Sequence, residues 1–371
     1  MSIAPSDRCA NRALSIFNTC CLALAAIALG HTAAASRAAT VERFVLAQGT
    51  RWETPYYVQD TQIEGPTIVI LGGVHGNEPA GAGAADQVRH WPVSRGRLIV
   101  LPRANQPALR ANTRCIPGVK KPRGNLNRNF PKCQGAGLCA GELSTILWRW
   151  LRTCRPDWVI DLHEGVQPHQ INSKSVGNTV IVYSEGQAKT VAPLLIEAVN
   201  STIDEEKEQF VKITGHIDGC LAKAASAHLG AETMICETTR KLQPLSQRTR
   251  QHRVIVHRLL TQLEMLPADA STDWLVDRRR EPDRLAVALY DAGGTGGSGV
   301  PNLTRLLRAK PHVAVAHVGP PEINDRTLAQ FDVVIFPGGS GSRQAKAIGS
   351  EGRQAVARFV ERGGGYLGIC A

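Results

Sequence analysis

A histidine and a glutamate three residues apart could form half of a metal site in this sequence. They are His75 and Glu78, within the motif GGVHGNE at residues 72–78, which follows the apolar run 68–71. Histidine offers a neutral nitrogen and glutamate an anionic oxygen, and zinc accepts both as ligands. A His-x-x-Glu pair occurs by chance in many proteins, so its meaning depends on whether the rest of the chain supplies further ligands.

Two later apolar segments lead to residues of the same chemical kind. Residues 158–162 are predicted to form a strand that runs into His163, and residues 231–236 a strand that delivers Glu237. In open α/β sheets, sites form at the carboxyl ends of the strands, so these side chains are expected to converge with the His-x-x-Glu pair. Three protein ligands would leave one zinc position open for water, as in a catalytic site.

The chemistry expected of such a site is metal-assisted hydrolysis. Zinc lowers the pKa of its bound water to about 7 and polarises a carbonyl group. A nearby carboxylate that is not a ligand can accept the water proton, and Glu237 is the candidate for this general base. Single residues also allow a structural interpretation, because His163 could be a core histidine and Glu78 a residue favoured by a helix dipole. All four residues together, in this order and at strand ends, indicate a catalytic metal site far more specifically than any one of them does.

Alternating strands and helices should position these residues. Residues 41–48 and 52–59 predict an opening hairpin, and the continuous apolar runs 67–71 and 98–101 predict buried strands. Residues 105–141 predict a long polar loop, a length that is usually functional or disordered. Strands and helices continue to alternate up to residue 266. The pattern indicates an α/β fold with a mixed, mostly parallel sheet flanked by helices.

Length and composition indicate a leader followed by two domains. The 371 residues are 43% apolar and 20% charged, which is the composition of a soluble globular protein with room for two cores. Residues 1–35 have the pattern of a secretory signal peptide, because arginines precede an apolar run that ends in small residues. We expect a catalytic domain at 36–266, a linker at 267–283 and a partial second α/β domain at 284–371.

The leader and the charge predict the surroundings of the protein. A cleaved signal peptide predicts secreted or periplasmic localisation with no membrane span remaining, and an uncleaved anchor is the alternative. The net charge of +11 favours anionic partners such as the cell wall, or marks only a basic surface. No predicted helix has a basic stripe with interleaved aromatics, so nucleic acid is excluded as a partner. An oxidising compartment would allow Cys133 and Cys139 to close a short loop.

Four motifs between residues 66 and 240 resemble those of the zinc carboxypeptidase superfamily. They are GGVHGNE at 72–78, NLNRNFP at 125–131, DLH at 161–163 and ET at 237–238. Their wording is closest to the succinylglutamate desuccinylase/aspartoacylase and murein-peptide amidase branches. The resemblance implies that one zinc ion per chain is bound by the ligands His75, Glu78 and His163, with Glu237 as the general base.

The same resemblance implies which residues bind the substrate. Asn127 and Arg128 would bind a substrate carboxylate, in keeping with the fork geometry of arginine–carboxylate pairs. Either Arg110 or Arg114 would stabilise the oxyanion, and the sequence leaves this choice open. The family usually has aspartate where this chain has Asn125, and an amide would hold a zinc-bound histidine less firmly.

Two glycine-rich motifs mark the C-terminal part, FPGGSGS at 336–342 and GGGYLGICA at 363–371. They resemble a class I glutamine amidotransferase-like domain, nearest to the variant called biotin-protein ligase N-terminal-like. A cysteine that follows an apolar strand on a glycine-rich turn is a nucleophile-elbow pattern, which places Cys370 at the nucleophile position. The sequence stops at residue 371 without downstream His and Glu partners, so either it is a fragment or the domain is degraded, and we expect this position to be inactive.

Taken with the leader, these motifs predict an exported zinc metallohydrolase of the metallocarboxypeptidase, amidase or deacylase type. It would cleave an amide or peptide bond near a free carboxylate, in small peptides or acyl amino acids, with cell-wall peptides as the expected substrate. The alternative enzyme is a deacylase of N-acyl amino acids. A non-catalytic module that binds anionic peptides is the alternative from another class, because Asn125 could mark a pseudoenzyme.

Overall fold

A computed structural model of the protein describes residues 40–120, 122–134, 137–267, 270–276 and 283–369. These residues belong to one compact unit, Ala38–Ala371. The predicted leader, part of the predicted linker and Cys370 lie outside the described residues. Within the described ranges, no helix combines the length and the apolar character that a membrane span requires.

Strands in the described part of the chain form two sheets. The strands are β1 Glu42–Leu46, β2 Thr54–Asp60, β3 Thr67–Gly72, β4 Arg97–Leu101, β5 Trp158–Gly165, β6 Thr179–Val182, β7 Val211–Thr214, β8 Glu232–Thr239, β9 Leu285–Tyr290, β10 Val313–Val318, β11 Val333–Phe336 and β12 Gly365–Gly368. The larger sheet has the order β1-β2-β4-β3-β5-β8-β6-β7, and the smaller one β10-β9-β11-β12.

Helices alternate with these strands along the described chain. They are α1 Pro79–Val88, α2 Gln106–Ala111, α3 Glu142–Cys154, α4 Ala188–Asn200, α5 Leu221–Leu229, α6 Leu245–Gln262, α7 Gly299–Arg308, α8 Asp325–Leu328 and α9 Gly341–Glu361. A 3-10 turn at Leu126–Arg128 carries part of the second motif.

The larger sheet is mixed and mostly parallel. β3 pairs in parallel with both β4 and β5, β5 with β8, and β6 with β7, whereas β1–β2, β2–β4 and β6–β8 are antiparallel. Helices cover both of its faces. The predicted fold class is therefore confirmed. Parallel pairing of β3, β5 and β8 brings their carboxyl ends to the same edge of the sheet.

Strand β3 lies in the centre of this sheet and is buried on both faces. Its side chains alternate, so that Ile68 and Ile70 pack with the core cluster beneath α1, α4 and α6. Val69 and Leu71 pack with the cluster on the opposite face, beneath α3 and α5. Burial on both faces explains why the strand is continuously apolar in sequence. It also fixes the start of the segment that carries His75.

Two predictions about the elements near the site were wrong in detail. The predicted loop 105–141 contains helix α2, whose N-terminus is capped by the side chain of Asn105 accepting from the backbone N–H of Ala108 at 3.3 Å. Strands β5 and β8 are also longer than predicted, so His163 and Glu237 lie within strands rather than after them. Charged residues in a strand interior hid its true length from the sequence.

The cysteines of the described part do not form the expected loop closure. Cys133 and Cys139 are both free thiols, as are the other four cysteines in the described ranges. Closure of this loop in an oxidising compartment stays a prediction.

The smaller sheet is entirely parallel and contacts helix α6. Glu322, after β10, accepts hydrogen bonds from Arg250 Nε at 2.6 Å and Arg253 Nη2 at 2.8 Å. Asp291, after β9, accepts from the backbone N–H of Leu245 at 3.0 Å. One end of α6 and one of its faces are thus fixed by the C-terminal part of the chain.

Candidate metal centre and active site

Three buried side chains meet at the carboxyl ends of β3 and β5. The Nδ1 atom of His75 lies 3.0 Å from Glu78 Oε1, and the Nδ1 atom of His163 lies 2.9 Å from Glu78 Oε2. The two Nδ1 atoms are 3.2 Å apart. Among the described residues, this is the group of three whose ligand atoms all lie within 4.8 Å of one another. Two imidazole nitrogens and a carboxylate suit zinc, so the donor set fits a metal ion.

Glycines after β3 allow the chain to bring His75 and Glu78 to this point. Gly73 has a positive φ of 70°, which turns the chain as it leaves the strand. Gly76 packs so closely on α2 that an added Cβ would lie 2.0 Å from the carbonyl oxygen of Ala108. Other residue types are excluded at Gly76 by this contact. The glycines of the motif therefore allow His75 and Glu78 to reach the group.

A side-chain oxygen from outside the group lies close to the Nε2 atom of each histidine ring. His75 Nε2 lies 3.0 Å from Asn125 Oδ1, an oxygen that also accepts from the backbone N–H of Asn127. His163 Nε2 lies 2.8 Å from Asp161 Oδ2; the two form an ion pair by distance, although they are not aligned as a regular hydrogen bond. A neutral ring with its proton on Nε2 would leave Nδ1 free to bind a metal ion.

Burial and mutual contacts shift the pKa of all three side chains in the group. Burial lowers the pKa of His75, and the carboxylate of Glu78 opposes this only in part. Burial also disfavours the charged form of His163, but Asp161 and Glu78 outweigh it and raise the pKa of this residue well above its usual range. Burial alone would raise the pKa of Glu78, yet its contacts with the two histidines lower it far below the usual range. The carboxylate of Glu78 therefore stays ionised although it is buried.

Glu237 lies beside this group without belonging to it. It pairs in register with His163 on the adjacent parallel strand, so both side chains project from the same face. The residue is buried, and burial raises the pKa of its carboxyl group to about 8, with His163 and Arg114 opposing the rise. A carboxyl group whose pKa is raised from its usual acidic value into the neutral range can exchange a proton with a reacting group.

Of the two candidate arginines, the structure places Arg114 at the group. Arg114 Nη1 donates to Glu78 Oε1, while nearly half of the arginine side chain remains exposed. Arg110 lies on helix α2 and is exposed. Which arginine would stabilise an oxyanion stays a prediction, and Arg114 is the one of the two that contacts the group.

The two predicted substrate-binding residues differ in accessibility. Asn127 is buried, its Oδ1 accepts from the backbone N–H of Leu221 at 3.0 Å, and its Nδ2 lies 3.5 Å from His163 Nε2. Arg128 is exposed, with one guanidinium nitrogen donating to the Asn127 carbonyl at 2.6 Å. Binding of a substrate carboxylate by these residues stays a prediction, and Arg128 is the better placed of the two.

Sequence reasoning missed Glu164. This residue follows His163 in β5, is buried, and pairs with Arg248 from α6. Burial raises the pKa of Glu164, and the charge of Arg248 opposes the rise. Its position directly after a histidine in a buried strand was the one indication in the sequence that Glu164 could matter. Its partner Arg248 lies 84 residues away in sequence, so the pairing itself could not be predicted.

We expect replacement of Asn125 to change metal affinity in both directions. Asn125→Ala should weaken zinc binding by about 10–100-fold, because His75 would lose the acceptor that orients its ring. Asn125→Asp should tighten binding, since a carboxylate raises the basicity of the ligand more than an amide does. Competition titration with a chromophoric chelator measures both. Equal affinities of the three proteins would show that position 125 does not support the histidine.

Both parts of the chain match known protein families. Residues 64–260 match the model of the succinylglutamate desuccinylase/aspartoacylase catalytic domain, and residues 285–371 match that of the N-terminal part of biotin-protein ligase. An N-alpha-acetyl-L-2,4-diaminobutyric acid deacetylase from Halomonas elongata is 37% identical over 106 residues. That match covers 28% of this chain and 29% of the relative, so the chain spans less than a third of it.

Solved structures of similar proteins have low sequence identity. The mDAP-bound form of Helicobacter pylori Csd4, a D,L-carboxypeptidase, is 22% identical with a TM-score of 0.47, over 59% of this chain and 56% of that one. A putative metallopeptidase from Shewanella amazonensis is 20% identical with a TM-score of 0.46, over 67% of this chain and 93% of that one. The two resemblances drawn from the motifs are confirmed by the family matches. The first of these spans more than half of the chain, which belongs to the succinylglutamate desuccinylase/aspartoacylase catalytic-domain family.

Proposed function

We propose that this protein is a zinc-dependent hydrolase that removes the acyl group from an N-acylated amino acid. The observation that carries the proposal is the buried group of His75, Glu78 and His163 with the carboxyl group of Glu237 on the adjacent strand. Membership of a family of desuccinylases and aspartoacylases supports amide hydrolysis of this kind. A bound zinc ion would supply Lewis-acid polarisation of the carbonyl and a water of lowered pKa.

Protein side chains would perform the remaining steps. Glu237 accepts a proton as the water oxygen attacks the carbonyl carbon, and returns it to the nitrogen as the C–N bond breaks. Negative charge develops on the carbonyl oxygen in between, and the guanidinium of Arg114 at the edge of the group would stabilise it. Arg128, which is exposed, would bind the free carboxylate of the substrate as a fork.

Hydrolysis of cell-wall peptides is the second candidate. The pattern of residues 1–35 favours it, because a signal peptide would deliver the protein to a secreted or periplasmic location where such peptides occur. Both candidates require a free carboxylate near the scissile amide. They differ in the group on the acyl side of that amide, which is a small acid in the first candidate and a peptide in the second.

The test is hydrolysis by the full chain, as isolated, after chelator treatment and after zinc is returned. The substrates are N-acetyl and N-succinyl amino acids alongside peptidoglycan-derived tripeptides and tetrapeptides. We expect amine release from the acyl amino acids that is lost with chelator and restored by zinc. Faster cleavage of the peptides would favour the second candidate. Absence of zinc-dependent cleavage of either class would contradict the proposal and favour a binding module.

A pair of arginine variants tests the assignment of the oxyanion partner. Arg114→Ala should lower kcat by about 10²–10³-fold, as removal of an oxyanion donor does elsewhere. Arg110→Ala, four residues earlier in the same segment, is the matched control and should keep the wild-type kcat. Steady-state kinetics on the best substrate measure both. If Arg110→Ala carried the larger loss, the assignment would be reversed.

A further inference from the structure

The metal ligand Glu78 occupies the N-cap position of helix α1 but does not cap it. Its side chain makes no capping hydrogen bond and is directed at the histidines instead. The carboxylate of Glu164 takes over this task, because its Oε1 accepts from the backbone N–H of Ala80 at 2.7 Å. The position of the chain directly after Glu78 therefore depends on Glu164.

Glu164 also contacts the ligand carboxylate itself. Its backbone N–H donates to Glu78 Oε2 at 3.2 Å, on the oxygen that faces His163. One residue thus holds Glu78 in two ways, through its backbone at the carboxylate and through its side chain at the first turn of the helix. A shift of Glu164 would move both contacts together.

Arg248 fixes Glu164 in this position. Its Nη1 donates to Glu164 Oε2, in a contact where the glutamate side chain is fully buried and that of the arginine is 12% exposed. The Nε atom of the same guanidinium donates to the carbonyl oxygen of Gln243 at 3.1 Å, which sets the plane of the group. Without Arg248, the carboxylate of Glu164 would be a buried charge that has lost its ion-pair partner.

The helix that carries Arg248 is itself anchored on both sides of this residue. Leu245 donates its backbone N–H to Asp291, and Arg250 pairs with Glu322, so both neighbours bind the C-terminal part of the chain. Neither of these contacts involves the guanidinium of Arg248 or the carboxylate of Glu164. Pairing of Arg248 with Glu164 is a feature of the folded arrangement rather than of a free surface side chain.

We propose that Glu164 and Arg248 are positioning residues that hold the metal ligand Glu78 in place. The inference rests on the proposed function, because it concerns the affinity of this site for zinc. Loss of a supporting contact around a metal ligand costs about 10–100-fold in metal affinity. We expect a loss of this size from Arg248→Met and from Glu164→Gln, with a lower kcat and little change in KM.

The experiment compares four variants of the full chain with the wild type. They are Glu164→Gln, Arg248→Met, the double variant with both changes, and Arg250→Met as control. Arg250 lies two residues away on the same helix and pairs with Glu322 instead of Glu164. Zinc affinity is measured by chelator competition, the geometry of the site by visible absorption of the cobalt(II)-substituted protein, and folding by thermal unfolding.

Zinc affinity and stability should separate in this series. The double variant removes both buried charges, so its Tm should recover toward the wild type while its zinc affinity stays low. Arg250→Met should lower Tm but keep zinc affinity and the cobalt spectrum. A purely structural role is shown if zinc affinity follows Tm in all variants, and that result overturns the inference.

Failure of the inference can be told from failure of the proposed function. A wild type that binds zinc, together with Glu164 and Arg248 variants that bind it equally well, contradicts the positioning role and leaves the hydrolase proposal standing. A wild type that binds no zinc contradicts both. If one single variant does not fold, the double variant and the other single variant still decide the question.

Discussion

Glu237→Gln is expected to lower kcat by about 10²–10⁴-fold while the protein still binds zinc. Glutamine has the shape of glutamate but cannot accept a proton from water, so the base is lost while the packing beside His163 is kept. Steady-state kinetics with the best acyl amino acid, together with the metal content of the same preparation, measure both parts of the prediction.

The control for this variant is Glu197→Gln, an exposed glutamate on α4. It makes the same chemical change far from the strand ends and should keep the wild-type kcat. Substrate binding should persist in Glu237→Gln, which distinguishes an enzyme that has lost its base from a misfolded one. Unchanged turnover in this variant would contradict the role of Glu237 and favour a non-catalytic module.

His75→Ala and His163→Ala should each abolish zinc-dependent hydrolysis and lose the metal. Each change removes one of the three ligands, so the loss of affinity should exceed the roughly 10–100-fold that an outer supporting residue costs. Metal analysis after dialysis against a weak chelator, followed by the hydrolysis assay, tests this. His312→Ala is the matched control, because His312 is exposed next to β10 in the C-terminal part of the chain.

A particular result would contradict the ligand set. If His75→Ala or His163→Ala retained as much zinc as the wild type, the metal would be bound elsewhere. The short distances among the three side chains would then have to be explained by the Glu78–histidine ion pairs alone.

The elements around the ligands could largely be predicted from the sequence. Burial of β3 on both faces makes it continuously apolar, and its glycine-rich end marks the turn to His75. Parallel pairing of β3, β5 and β8 follows from the alternation of strands and helices, and it brings the ligand segments to one edge. Local patterns were sufficient here because His163 lies within an apolar strand, and His75 and Glu78 follow one within a few residues.

Contacts between distant segments could not be predicted in this way. The pairing of Glu164 with Arg248 joins residues 84 apart, and nothing in either local pattern indicates the other. The position of Arg114 depends on α2. This helix has six residues and is too short to show the periodic spacing of apolar residues by which helices are predicted. Docking of the C-terminal part through Glu322 likewise depends on the tertiary arrangement of two arginines on α6.

Metal content of the purified full chain tests the central claim most directly. Elemental analysis of the wild type, after removal of loosely bound ions, should find one zinc per chain, and His75→Ala should reduce this to a trace. A wild type that holds no zinc, and that takes none up when zinc is supplied, would contradict the assignment of His75, Glu78 and His163 as a metal centre.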